Sequence, residues 1–315
     1  MGRKIRIAVA GSMIFDFVAS ADRLPKTGET VIGNSFGMFS GGKGANQAVQ
    51  AAKLGAEVYM IGRVGDDFLG ERLMEGLKKT GVITDYIKKD PTSHTAACCI
   101  HVDANGDNAI IIAPEANMSV TADDIRSAGD VIQSADIFIS QLEIAMPAVE
   151  YAVGLASEHG VPVVLNPAPH RAVSKELFKM ADVVTPNETE AEFYTGIPME
   201  KSNIEECAAA NAEKLMAMGA KSVVITLGKK GAFLAYEGIR KRIDTPYVVP
   251  VDTTAAGDAF NGALAVALAE GRSMEQAVVF ANGAGALAAS KAGAQSSICD
   301  RAQLEAFLEK SGLSL

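Results

Sequence analysis

An α/β fold with a central, mostly parallel sheet flanked by helices is what the sequence predicts, on three observations. Short apolar runs ending in Gly are followed by amphipathic stretches that also end in Gly, and this cycle recurs along the chain. Alternation of this kind implies a parallel sheet covered by helices on both faces. The 315 residues suffice for one large domain with a substantial core. Two strand-rich segments, at about 15–40 and 95–114, break the rhythm and predict a small β-sheet standing beside the main body as a lid.

Taken in order, "IRIAVA" at 5–10 is a buried strand ending at Gly11. The Gly-rich segment from Phe15 to Ser40 is the first insertion. Residues 44–55 have helical spacing and stop at Gly55; "AEVYMIGRVG" is a strand, and "DDFLGERLMEGLKKTG" is a helix ending at Gly81. Residues 95–114 are two strand-like runs around Asn105-Gly106, a strong hairpin signal. Antiparallel edge strands of the main sheet are the plainer alternative for these insertions. Further strands are expected at 135–140, 161–166, 181–186 and 221–228. Helices are expected near 146–159, 203–219, 257–270, 274–291 and 300–310. No low-complexity linker or internal repeat appears, so residues 1–315 are expected to form a single domain. In such folds ligands lie at the carboxyl ends of the strands.

Composition narrows the partners. Apolar residues make up 48% and charged residues 21%, as in ordinary globular enzymes. A net charge of −9 argues against nucleic acid as the main partner, while leaving room for a small phosphate. Cys98, Cys99, Cys207 and Cys299 contain no CxxC pair, and the four histidines (His94, His101, His159, His170) show no metal spacing. Free thiols suit a reducing cytosol. No uncharged apolar run of about 18 residues occurs, so no membrane span is expected and the protein is expected to be cytoplasmic.

Two Gly-bearing helix mouths carry the chemistry. In "DTTAAGDAFNG" (252–262), Ala255, Ala256 and Gly257 leave backbone amides uncovered where a helix begins. A helix N-terminus has free donors and partial positive charge, so it can hold a phosphate and stabilise charge developing on it. Asp258 in the first turn can take a proton from a hydroxyl aimed at that phosphate; alternatively it is a first-turn acid favoured by the helix dipole. Asp252 can cap or bind a cation. In "FSGGKGANQA" (39–48), Gly41, Gly42 and Gly44 permit close ligand approach, and Lys43 and Asn46 supply donors suited to a polyol. The spacing is neither Walker A nor GxGxxG.

Three strand ends add weaker signals. "TPNETEAE" (185–192) offers Asn187, Glu188 and Glu190, which suit Mg²⁺ or decorate a helix start. "TLGKKGA" (226–232) has Gly228 and Gly231 suited to lie under a nucleotide, with Lys229 or Lys230 near a phosphate or simply solvated. "QLE" (141–143) sets Glu143 where it can hold a hydroxyl.

Together these stretches, with "GSMIFD", "GRVGDDFLG", "NPAP" and "KAGAQSS", resemble the PfkB, or ribokinase, family of carbohydrate kinases over nearly the whole chain. "GGKGANQA", "NPAP", "PNETEAE" and "GAQSS" are most similar to the family's ribose-phosphorylating branch. The resemblance implies a ribokinase-like, Rossmann-like fold with a β-sheet lid that pairs subunits into a homodimer. It also implies ATP-dependent phosphorylation of D-ribose at O5, in ribose catabolism, with ribose and ATP as the small-molecule partners. Asp258 matches the catalytic base, and Ala255, Ala256 and Gly257 match the anion hole. Asp16, Gly41, Gly42, Lys43, Asn46 and Glu143 match the sugar-binding stretches. Asn187 and Glu190 match an NxxE element that helps place Mg²⁺ and the phosphates. Thr226, Leu227, Gly228, Lys229, Lys230, Gly231 and Asn282 match the nucleotide-lining stretches. Asp252, Thr254, Ala288, Lys291, Gly293 and Ser297 match the loops that hold an activating K⁺. One departure is visible: Ile14 stands where many members carry an Asn that bonds the sugar. An aliphatic residue neither donates nor accepts, so a related acceptor (deoxyribose, fructose or a nucleoside) is the alternative.

Overall fold

The computed structural model describes residues 3–313. Its main sheet has nine strands: β1 (Arg6–Ala10), β4 (Glu57–Gly65), β5 (Ile83–Asp90), β8 (Ile137–Gln141), β9 (Val163–Asn166), β10 (Val183–Val184), β11 (Val223–Thr226), β12 (Ala232–Tyr236) and β13 (Ile239–Ile243). The spatial order is β13-β12-β11-β10-β9-β8-β1-β4-β5. Pairing is parallel from β5 through β11, and β12 and β13 close one edge antiparallel. The central strands are apolar on both faces because helices cover both: Ile7, Val9 and Ile139 pack on one side, Ala8, Phe138 and Leu165 on the other. The helices are α1 (Lys43–Lys53), α2 (Phe68–Lys79), α3 (Ala122–Ser127), α4 (Gly129–Gln133), α5 (Met146–Glu158), α6 (Lys175–Met180), α7 (Glu188–Thr195), α8 (Ile204–Ala217), α9 (Ala256–Ala269), α10 (Met274–Ala289) and α11 (Arg301–Lys310).

A second sheet has the order β3-β2-β6-β7, built from β2 (Ile14–Ser20), β3 (Ser35–Gly41), β6 (Ala97–Val102) and β7 (Asn108–Ala113). Both insertions contribute to it, and none of its strands joins the main sheet, so the edge-strand alternative is overturned. Its β6–β7 turn contains Gly106 at φ 85°, the positive φ that the Asn-Gly signal requires. β2 follows β1 after only three residues. At that joint Met13 is clamped by Asn117, whose amide accepts from Met13 N at 3.1 Å and donates to Met13 O at 3.1 Å.

The expected helices and strands are found with ends shifted by a few residues. Three strands are additional to those expected. β5 "ITDYIKKD" and the β12–β13 hairpin "AFLAY–IRKRI" are at the two ends of the sheet. Charged residues on an edge strand discourage pairing with another chain, and they also blur the apolar pattern by which a strand is read.

Candidate active site

The carboxyl ends of β1, β8, β9 and β10 converge with the mouths of α1 and α9. At α9, Ala255 is the N-cap residue with φ 60°, a left-handed conformation that a β-carbon disfavours, and it supplies no side-chain cap. The amide of Ala256 is bonded to Thr253 O at 3.2 Å, so that member of the expected anion hole is engaged. The amides of Ala255, Gly257 and Asp258 have no acceptor among the described residues. The first turn is held from behind: Asn261 donates to Gly257 O at 2.8 Å and accepts from the Thr185 hydroxyl at 2.5 Å. A Cβ built on Gly257 meets no atom within 4 Å, and its φ is not positive. Neither backbone strain nor packing therefore demands a glycine here; the free space beside unpaired amides is suited to an anion.

Asp258 is buried, with 8% exposure. Its carboxylate does not cap its own helix. Oδ2 accepts from Asn46 Nδ2 at 2.9 Å and Oδ1 from Gln47 Nε2 at 3.0 Å, both amides belonging to α1. It lies in the first turn, where the dipole favours an acid, but its hydrogen bonds are to α1. For Asn187 and Glu190 the outcome is the reverse. They form a reciprocal capping box at the start of α7: Asn187 Oδ1 accepts from Glu190 N at 2.8 Å, and Glu190 Oε2 accepts from Asn187 N at 2.9 Å. Burial pushes the Glu190 carboxyl up, against the pull of the Asn187 amide and Lys43.

At the α1 mouth, the glycines answer to the protein itself. Gly42 has φ 90°, and a Cβ there would lie 2.7 Å from Ile14 N. A Cβ on Gly44 would lie 2.6 Å from the Gly11 and Ser12 backbone, and one on Gly41 would lie 2.4 Å from Asp16 Oδ2. The Asp16 carboxyl thus rests over Gly41. Burial, with Glu143 nearby, pushes Asp16 up to about 7. Glu143, just past β8, accepts from the Ser12 hydroxyl at 2.5 Å and from Lys43 N at 3.2 Å. Burial lowers the Lys43 ammonium, but Asp258, Glu143 and Glu190 more than offset it, and the net shift is upward. Lys43 thus faces three carboxylates that the sequence scatters between positions 143 and 258.

The expected nucleotide stretch lies on β11 and the turn after it. Thr226 pairs with Asn187 as an isolated parallel bridge, Leu227 is buried, Lys229 is exposed, and Lys230 Nζ donates to Lys201 O at 3.1 Å. Gly228 at φ 52° has open space around it, whereas a Cβ on Gly231 would strike Ile243 O at 2.0 Å. Asn282 Nδ2 donates to Ile243 O at 3.0 Å and Asp244 O at 3.3 Å, holding the segment after β13 against α10. In the expected cation loops, Asp252 accepts from Thr254 N and Gly293 N, each at 2.9 Å. Burial opposes ionisation of Asp252, but these bonds hold its carboxyl below the usual range. Ala289 O accepts from Val251 N and Asp252 N, joining the two loops, and the Ser297 hydroxyl donates to Ala294 O. Among the described residues no group of three or more His, Cys, Asp or Glu could hold a metal. Nor is any helix there long and apolar enough to cross a membrane.

Residues outside the expected set complete the site. Ser12 links Glu143 to the α1 mouth. Gln47, Gln141 and Asn166 form a buried amide chain below Asp258: Gln141 Nε2 donates to Gln47 Oε1 at 2.8 Å, and Gln47 Nε2 also donates to Asn166 Oδ1 at 3.1 Å. Gln47 and Asn166 were visible in "GGKGANQA" and "NPAP" as motif members, but their partners are 94 and 119 positions away.

Known proteins resemble this chain over nearly its whole length. A model described as pfkB family carbohydrate kinase matches residues 4–301. A ribokinase of Bacillus subtilis is 41% identical over 305 residues, spanning 96% of this chain and 99% of that protein. A deoxyribokinase of Salmonella typhi is 35% identical over 280 residues, spanning 87% and 90%. The solved structure of Arabidopsis thaliana ribokinase complexed with ribose and ATP superposes with a TM-score of 0.88 at 33% identity, covering 98% of this chain and 99% of that one.

Proposed function

The chain belongs to the pfkB family of carbohydrate kinases, and we propose that it transfers the γ-phosphoryl group of ATP to O5 of D-ribose. The observation that carries this reading is the juxtaposition at α9: a buried carboxylate held by two amides of α1, next to free backbone amides and an open glycine.

The mechanism follows from those parts. Asp16, Glu143, Lys43 and Asn46, with the glycine backbone at 41–42, hold the sugar hydroxyls. Asp258 accepts the proton of the 5-hydroxyl as its oxygen attacks the γ-phosphorus and the bond to ADP breaks. The Ala255, Gly257 and Asp258 amides stabilise the charge on the transferring group. Thr226, the 227–231 turn and Asn282 line the nucleotide. A Mg²⁺ ion bound with the nucleotide would neutralise charge on the phosphates. Glu190 fits it as the nearby acid: burial disfavours its ionised form, which a cation would restore, and Oε2 is the oxygen taken by the cap. The 252–254 and 288–297 loops are joined through Asp252, and K⁺ held there by carboxylate and backbone carbonyl oxygens would add positive charge near the anion hole.

The small sheet acts as the lid of one domain spanning residues 1–315, and closure excludes water. Its outward apolar residues, among them Phe36 and Ile111 (65% and 71% exposed), suit a homodimer. Free thiols such as Cys98 and Cys207 suit a cytoplasmic enzyme.

A second acceptor is favoured by Ile14. By strand alternation Ile14 lies on the same face of β2 as Asp16, and it packs with Ala96 and Cys98. A pentose lacking one hydroxyl, as the name of the Salmonella relative indicates for that protein, loses nothing against such a wall. A coupled ADP-release assay with ribose, deoxyribose, fructose and nucleosides, with the product's phosphorylated position read by ³¹P NMR, tests the proposal. Ribose-dependent ADP release with phosphate on O5 is expected. No release above the sugar-free rate with any acceptor would overturn it.

A further inference from the structure

We propose that Gln47, fixed in one orientation by Asn166 and held there by Gln141, is a positioning residue for the Asp258 carboxylate; this rests on the assignment of Asp258 as the base. Gln47 is fully buried, so it does not touch a substrate. Its amide is saturated. One N–H goes to Asp258 Oδ1 at 3.0 Å, the other to Asn166 Oδ1 at 3.1 Å, and its oxygen accepts from Gln141 Nε2 at 2.8 Å. Turning that amide over would set its oxygen against two oxygens and its NH₂ against the NH₂ of Gln141. Three hydrogen bonds would become three repulsive contacts. Asn166 is oriented in turn, because its own NH₂ donates to Thr185 O at 2.9 Å.

Gln141 completes this arrangement by pairing the Gln47 oxygen, and it does so at a cost. It is fully buried, and its Oε1 has no hydrogen-bond partner. That oxygen lies over Gly11, where a Cβ would be only 2.1 Å away. Gly11 has no positive φ, so the space for Gln141 is a reason for glycine there. An apolar side chain would fill this place without an orphaned atom. The chain Gln141–Gln47–Asp258 runs from β8 through α1 to α9, and so ties the carboxylate to the central sheet. Without the Gln47 donor the carboxylate gains freedom to rotate, and its ionised form loses one of two hydrogen bonds. Turnover then falls, and the acid limb of the rate profile moves to higher pH.

The test uses the full chain with Gln47→Met, Gln141→Met and the double variant. ADP release with ribose is followed across pH, ribose affinity is measured by calorimetry, and the ADP-induced rise in Tm reports the fold. Gln47→Met is expected to lower kcat about 10- to 100-fold with KM within about threefold, and to move the acid limb up by about one pH unit. Gln141→Met is expected to lower kcat about three- to tenfold, and the double variant to be no worse than Gln47→Met, because Gln141 acts through Gln47. A folded Gln47→Met enzyme with unchanged kcat and pH profile would overturn the proposal, as would additive losses in the double variant. If the Met variants do not fold, Gln47→Ser, which admits a water, replaces them. Failure of all to fold would assign the amides to the fold alone and overturn the positioning role. Wild-type turnover in Asp258→Asn would remove the base assignment itself, whereas an inactive Asp258→Asn beside a wild-type Gln47→Met would remove only this inference.

Discussion

The two glycine-bearing helix mouths look alike in the sequence, yet their glycines serve different masters. At α1, Gly42 and Gly44 are required by the chain: a Cβ on either would lie 2.6–2.9 Å from the backbone of residues 11–14. At α9, Gly257 is required by nothing in the chain, since a Cβ there meets no atom within 4 Å. One glycine lets the protein approach itself, and the other leaves room for something the protein must receive. A Gly-rich loop is therefore evidence of a ligand only where the chain does not already explain it.

Substitution separates the two cases. Gly44→Val should give the largest effect, a loss of about 3 kcal/mol or more of stability, because the first turn of α1 cannot move off residues 11–12 without losing the Lys43–Glu143 and Asn46–Asp258 contacts. Thermal unfolding measures it, and an unchanged Tm would break the comparison. Gly257→Val should leave Tm within a few degrees while turnover falls about 10²- to 10³-fold, because the side chain fills the space beside the free amides and keeps the anion from its donors. Coupled lost stability and activity would show that the two mouths are not different in kind.

Asp16 sharpens the comparison on the sugar side. Its carboxyl is pushed up to about 7, so below that pH it is neutral, and sugar hydroxyls donate best to the ionised form. Acceptor affinity should therefore rise with pH, about tenfold in KM between pH 6 and 8, with Asp16→Asn abolishing the dependence. Folding has the opposite sign. The unfolded carboxyl ionises near 3.8, so the folded state holds an extra proton between there and about 7, and stability falls with pH across that window. The smallest expected effect belongs to Ile14→Asn, which should move the ribose-to-deoxyribose ratio of kcat/KM about three- to tenfold toward ribose. No change in that ratio would mean that Ile14 does not face the acceptor.

What was legible follows from the range of each interaction. The strand–helix rhythm, the Asn105-Gly106 turn and the first-turn place of Asp258 are local, and they appear in the structure where the residues suggest. β5 and the β12–β13 hairpin were obscured by edge-strand charges such as Lys88, Lys89, Arg240 and Lys241, although Glu237-Gly238 marks the hairpin turn with φ 43° and 83°. The chemistry of Asn187 and Glu190 was ambiguous because a capping box and a cation-placing pair use the same residues. The amide chain below Asp258 could not be read, since its members meet only after β8, β9, α1 and α9 have assembled.

The most direct measurement is single-turnover phosphoryl transfer to ribose by Asp258→Asn, alongside calorimetric binding of ribose and ADP. The account predicts transfer slowed about 10³-fold or more while both ligands bind within about threefold of wild type. Transfer at the wild-type rate, or an inactive variant that no longer binds either ligand, would contradict it.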